Sequence, residues 1–157
     1  MIFNIAQIVP FLQLVTAAIL GGLIGLEREY KKREAGLKTF SLVSLGSCLF
    51  TILSIYLTSS NSQFSSFVQI DPGRIIQAVA IGIGFIGSGL IIYHKFQVEG
   101  LTTAAALWSA AAIGIGVGLK LYFLAAFATL LTILILAGFR LIEEKFFGKN
   151  QEGDYEG

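Results

Sequence analysis

Apolar residues arrive in five long blocks, at residues 8–26, 40–57, 74–93, 102–119 and 121–139, separated by short polar interruptions. Each block is close to the roughly 20 residues that a helix needs to cross about 30 Å of hydrocarbon. Lipid offers no water to the backbone's N–H and C=O groups, so each block is expected to be helical. The pattern predicts an all-α integral membrane protein, a bundle of five transmembrane helices. The first block lacks a basic n-region and a small-residue cleavage signal and is expected to stay as a span.

The polar interruptions predict where the elements end. In "DPGR" at 71–74, Asp71 reads as an N-cap, Pro72 as the first helical residue and Arg74 as a side chain reaching the outer headgroups. "GLTTAA" at 100–105 offers Thr102 or Thr103 as the cap of the fourth helix. The stretch "LTSSNSQFSSFVQI" at 57–70 is Ser-rich and uncharged, an outer crossing or a short interfacial segment. "GKNQEGDYEG" at 148–157 is polar and acidic, and disorder is expected there. The chain therefore divides into a transmembrane domain, 1–139, and a cytoplasmic tail, 140–157, with no soluble domain expected.

Composition agrees with a membrane protein. Hydrophobic residues make up 55% and charged ones 13% of the 157 residues, the latter about half the usual share. Mean hydropathy is +0.78. The distribution of charge says more than its sum of +1. Arg28, Lys31, Lys32, Arg33, Lys38, Lys95, Arg140, Lys145 and Lys149 fall on one side of the predicted spans, and Arg74 and Lys120 on the other. The positive-inside rule then predicts an outer N-terminus and a cytoplasmic C-terminus.

Small residues form a second pattern. Ala17, Gly21 and Gly25 recur every four residues and predict a ridge where another backbone approaches closely. "GIGFIGSG" at 82–89 puts Gly82 and Gly89 with Ala78 on one face, with Gly84, Gly87 and Ser88 broadly opposite. That helix is expected between two neighbours. "AAALWSAAAIGIGVG" at 104–118 is small nearly all round and predicts a central helix. Ser44, Ser47, Thr51 and Ser54 lie at three-to-four spacing on the second helix, suited to bonding across to a neighbour or back to their own helix.

In order and spacing, "GLIGLEREYKKREAGLKT", "DPGRI", "GIGFIGSGLI" and "GLTTAAALW" resemble the membrane domain of the MgtC/SapB family over about residues 12–137. The resemblance implies a bacterial inner-membrane protein linked to growth at low magnesium. It also implies a regulatory role, since the best-studied branch is described as restraining the proton-driven ATP synthase. On this resemblance Glu27, Arg28, Glu29, Ala35, Gly36, Leu37, Lys38 and Thr39 belong to a signature loop, and Asp71, Arg74, Gly84, Gly87, Gly89, Thr102, Thr103 and Trp108 to the later motifs. The family often reads Arg-Thr-His where this chain has Lys38, Thr39 and Phe40, so a histidine-based proton or metal role does not carry over. Longer members have a soluble C-terminal domain, which is not expected here, so the resemblance does not carry over functions housed in that domain and leaves the virulence role open.

Chemistry narrows the function further. A P-loop needs a lysine on a loop that reaches phosphates; "GIGFIGSG" has none and lies in an apolar block. The single Cys48 and single His94 exclude an intramolecular disulfide, a cysteine-built zinc site and a histidine cluster. No catalytic residues, cofactor, metal or nucleic-acid partner are expected. Mg²⁺ transport calls for oxygen ligands, but at depth the sequence offers only Gln77, hydroxyls and glycine backbone, with Glu27 and Glu99 at the inner edge and Asp71 at the outer one. The favoured reading is a protein that acts by association with lipids, with further copies of itself and with a larger membrane complex such as ATP synthase; a cation transporter is the alternative. Glu27 and Arg28 are expected in an ion-pair network involving Lys38, Lys95, Glu99 or a neighbouring subunit, while Lys31, Lys32 and Arg33 suit anionic headgroups.

Overall fold

The computed structural model describes residues 5–60, 71–94 and 96–146. Its helices are α1 (Ile5–Tyr30), α2 (Leu37–Ser60), α3 (Pro72–Ser88), α4 (Leu101–Gly118) and α5 (Tyr122–Phe146). Between α3 and α4 lies an antiparallel hairpin, β1 (Ile92–His94) and β2 (Gln97–Glu99), in which Ile92 faces Glu99 and His94 faces Gln97.

The hairpin corrects the third predicted span, which was drawn to residue 93. Asp71 caps α3 by accepting the Gly73 N–H at 2.8 Å, and Pro72 opens the helix. The helix stops at Ser88, and Gly89 returns its N–H to the carbonyls of Ile86 and Gly87. The following Ile91–Ile92–Tyr93 run is β-branched and aromatic, which suits a strand as well as a span. Gly100 closes the excursion at φ +84°, and a Cβ there would stand 1.9 Å from the Leu90 carbonyl oxygen. Only glycine fits both conditions. Gly100 is also the N-cap of α4, with no side-chain capping bond, so neither Thr102 nor Thr103 performs the predicted capping.

Helix α4 is central and packs on each of the other four helices. Together α1, α2 and α4 form a three-helix core built on backbone approach. A Cβ on Gly21 would lie 2.5 Å from the Phe40 carbonyl oxygen, and one on Gly25 would lie 2.8 Å from that of Gly36. On α4, a Cβ on Gly114 would lie 2.1 Å from the Ser44 carbonyl oxygen, and one on Gly118 would lie 2.7 Å from the Thr51 Cβ. Such contact is the main attraction available between helices in lipid. Helix α3 has α4 and α2 as neighbours, but its glycines are not all at those contacts. Gly87 meets Ala104, whereas Gly82 and Gly84 have open space around them. Gly82 instead lines an apolar groove of about 490 Å³ between α2 and α3, together with Gly46, Phe50 and Ala78.

Large apolar side chains point outward: Phe11, Ile19, Phe50, Ile81, Phe85 and Phe123 are all exposed. Small residues and hydroxyls fill the interior, with Ala17, Ser44, Ser47, Thr51, Ala110 and Ala111 buried. That inversion of the soluble pattern marks a surface that faces lipid. The apolar stretches Ile8–Tyr30, Leu37–Thr58 and Leu101–Gly118 are long enough to cross a bilayer; Gly73–Ser88 and Tyr122–Gly138 are shorter. Helix α5 runs on to Phe146 and so takes in the start of the predicted tail. Residues 61–70 and 147–157, holding most of the Ser-rich crossing and the rest of the tail, lie outside the described residues.

Candidate functional site

Helix α1 keeps its apolar character to Leu26 and then presents Glu27, Arg28 and Glu29 before it ends at Tyr30. Because α1 is packed by its glycines against α2, these three residues emerge with neighbours still around them. Arg28 is 3% exposed. Its Nη2 donates to the Thr103 Oγ1 at 2.8 Å, and that hydroxyl donates in turn to the Glu34 Oε2 at 2.7 Å. Arg28 Nη1 lies 3.9 Å from Glu27 Oε2, held by charge rather than by a hydrogen bond. Lys31, one turn on, pairs with Glu27 and points its Nζ at the Leu136 carbonyl on α5. A chain of polar groups thus ties the end of α1 and the α1–α2 loop to α4 and α5.

Glu29 has a separate task. Its Oε2 accepts the Leu37 N–H at 2.8 Å, at the first residue of α2. A helix start leaves such donors without intrahelical partners, and a carboxylate there also complements the helix dipole. Gly36 makes this possible, since a Cβ on it would lie 2.7 Å from Glu29 Oε2.

The predicted network is therefore relocated. Lys38 and Glu99 are exposed and are not among the partners of Arg28, and Lys95 lies outside the described residues. A hydroxyl and a carboxylate that the sequence did not single out for this role, on Thr103 and Glu34, stand where Lys38 and Glu99 were expected. Of the other signature positions, Ala35 is buried, Thr39 half-buried, and Leu37, Arg74, Thr102 and Trp108 exposed. Gly84 and Gly89 make no close interhelical contact.

At the far end of the core lies a second polar contact that sequence reasoning missed. Gln13 is buried and its Nε2 donates to the carbonyls of Val117 and Gly118, both at 2.9 Å. It supplies a partner to the Gly118 carbonyl at the end of α4 and a second donor to that of Val117, which also accepts the Lys120 N–H at 2.9 Å. Gln77, the amide expected at depth, is exposed on α3. The available signal was simply that Gln13 is a strongly polar side chain inside an apolar block, which is costly unless it is bonded. Between the two ends two of the four buried hydroxyls on α2 turn back on their own helix, Ser47 donating to the Val43 carbonyl and Thr51 to that of Ser47, while those of Ser44 and Ser54 have no partner among the described residues.

The Glu34 carboxyl is held below its ordinary value, chiefly by the hydrogen bond from Thr103, aided by a backbone hydrogen bond and the charges of Arg33 and Arg28. A depressed carboxylate value contributes stability that is present above the unfolded value, about 4.3 for glutamate. That contribution is lost as pH falls through the lower folded value. Thermal unfolding in detergent should show the wild type weakening as pH drops below about 4, and Glu34→Gln should flatten that decline. An unchanged decline in Glu34→Gln would mean the contact is not made in solution.

A greasy exterior, a core of contacting backbones and polar ties at both ends define a helical membrane protein. The chain belongs to the MgtC family, whose family model matches residues 14–145. It is 39% identical over 139 residues to "Putative magnesium transporter YhiD" of Escherichia coli K12, covering 88% of this chain and 64% of that one. It is 39% identical over 140 residues to the protein SrpB of Synechococcus elongatus, covering 83% and 75% of the two chains. With the protein MgtC of Brucella abortus it shares 38% identity over 144 residues, 91% of this chain and 57% of that one. The chain thus spans well under two thirds of the Brucella protein's length. No solved structure matches it.

Proposed function

We propose that this protein is a non-enzymatic, multi-pass protein of the bacterial inner membrane that acts by associating with a larger membrane complex or with further copies of itself. In this reading all five helices cross the bilayer, with the Arg28 end cytoplasmic, and the role belongs to adaptation to low magnesium. The observation that carries it is the closed interior. Backbones touch at Gly21, Gly25, Gly114 and Gly118, and the hydroxyls of Ser47 and Thr51 bond to their own helix. Among the described residues no carboxylate lies in the middle of a helix of this core, where an ion path usually carries one.

Cation transport is the second reading, favoured by the name of the Escherichia coli relative, "Putative magnesium transporter YhiD". Purified protein in proteoliposomes separates the two. The expected result is no Mg²⁺ uptake above empty vesicles, from preparations of the same protein that restores low-magnesium growth to a strain lacking its own copy. Uptake that depends on the protein would overturn the regulatory reading.

A further inference from the structure

The β1–β2 hairpin has no substantial packing against the helical core, and among its described side chains the apolar ones are exposed. Phe96, at the turn, is 93% exposed and Tyr93 68% exposed, with Ile92 and Val98 half-exposed or more. A two-stranded ribbon this short is not stable alone in water, and its apolar groups need somewhere to go. Its position decides where. Helices α3 and α4 flank it with 17 and 18 residues, about 26 and 27 Å at 1.5 Å per residue. Both barely match a hydrocarbon layer of about 30 Å. The connection between them is therefore held at the membrane boundary and does not stand clear in water.

Charge at that boundary selects the lipid. The hairpin leads directly into α4, whose Thr103 touches Arg28 and Glu34, so it lies at the end that carries the α1–α2 loop. Among the described residues that end carries five cations (Arg28, Lys31, Lys32, Arg33 and Lys38) against four carboxylates (Glu27, Glu29, Glu34 and Glu99), a small positive excess, with Lys32, Arg33 and Lys38 exposed. Cations near a membrane surface attract anionic headgroups at about 1 kcal/mol each. Aromatic rings favour the same layer, with the ring in the apolar region and any hydroxyl in the wet one. We propose that the hairpin is an interfacial anchor, seating Tyr93 and Phe96 in an anionic lipid headgroup layer beside the Arg28–Thr103 contact. By fixing the start of α4 at a set depth, it would couple the lipid surface to the polar chain that ties the helices together.

This inference rests on α3 and α4 crossing the bilayer, and the experiment tests both together. In a Trp108→Phe background, a single tryptophan is placed at the hairpin (Phe96→Trp, with Tyr93→Trp as a second variant) or at the centre of α3 (Ile81→Trp). Each full-length protein is reconstituted into phosphatidylcholine vesicles, with and without phosphatidylglycerol. The acyl chains are brominated either close to the headgroup or near the tail end. The expected result is blue-shifted emission from the hairpin tryptophan, quenched by the shallow bromines and more strongly when phosphatidylglycerol is present. The Ile81→Trp emission should be quenched by the deep bromines. A hairpin tryptophan that is quenched by aqueous iodide and not by bromine overturns the anchor while leaving the spans intact. Shielding from both quenchers means that protein covers the hairpin, and equal quenching in neutral and anionic vesicles removes the headgroup selectivity; either result overturns the proposal. Failure of deep bromine to quench Ile81→Trp overturns the membrane-crossing reading itself.

Discussion

Gly114→Ala is expected to destabilise the bundle, although alanine is the better helix former. In an open helix position the exchange gains roughly 0.8–1 kcal/mol. At Gly114 the new methyl carbon would stand 2.1 Å from the Ser44 carbonyl oxygen, a backbone atom that cannot rotate away. Helices α2 and α4 must then separate. Overpacking of this kind costs about 1–3 kcal/mol, occasionally more, and separation also forfeits close contact along the interface from Ser44 to Thr51. Gly46 and Gly84 serve as controls, because a Cβ at either meets nothing within 4 Å. Thermal unfolding in detergent should place Gly114→Ala clearly below the wild type, with Gly46→Ala and Gly84→Ala at or above it. Equal behaviour of the three variants would show that α2 and α4 are not in backbone contact.

Arg28→Ala should be the most damaging change at the polar end of the core. The side chain is almost wholly buried, between Glu27 and the Thr103 hydroxyl. Its removal leaves Glu27 with Lys31 alone and Thr103 without its strongest donor. Breaking a buried charge contact by deleting one partner costs about 3–5 kcal/mol, and the lower end applies at a membrane face. Arg28→Lys should also fall short, because an ammonium is a compact point charge where the guanidinium offers a planar fork. Lys38→Ala, on an exposed residue, should be close to neutral. Thr103→Val removes the hydroxyl that Arg28 and Glu34 share, and combined with Arg28→Ala it should cost less than the two losses added together. Detergent stability and membrane abundance measure the fold, and growth at low magnesium measures the function. If Arg28→Ala matches Lys38→Ala in all three, the buried contact has no consequence.

Much of the bundle was legible because lipid imposes so few solutions. Long apolar blocks must be helices, and an all-small segment such as 104–118 can be approached from every side, which suits the central α4. Asp71–Pro72 marked its helix start through local chemistry alone. The hairpin was not legible: Ile91, Ile92 and Tyr93 are as apolar as a span, and the turn carries no Asn-Gly or Asp-Gly pair to announce it. Thr103 was read as a cap, since a threonine at a helix start ordinarily is one. Its use by Arg28, 75 residues away in sequence, depends on how α1 and α4 pack, which no local pattern carries. Glu34 was missed for the same reason; Gln13 stood out as a polar side chain in an apolar block, but its partners on α4 are set by the same packing.

The sequence distances of these contacts also set an order of assembly. The α1–α2 pair is complete within residues 5–60: Glu29 reaches Leu37 across a short loop, and Gly21 and Gly25 seat against Gly36 and Phe40. That unit can form while the rest of the chain is still being synthesised, since loop closure over so few residues costs little entropy. The bonds of Gln13 and Arg28 span 104 and 75 residues and must wait for α4. Until α4 arrives, the nascent pair holds the Gln13 amide within an apolar helix without its two carbonyl acceptors, and the Arg28 guanidinium with Glu27 but without the Thr103 hydroxyl. The last helices to be made therefore complete the satisfaction of the first, and a chain stalled before α4 would be the form most exposed to a membrane protease.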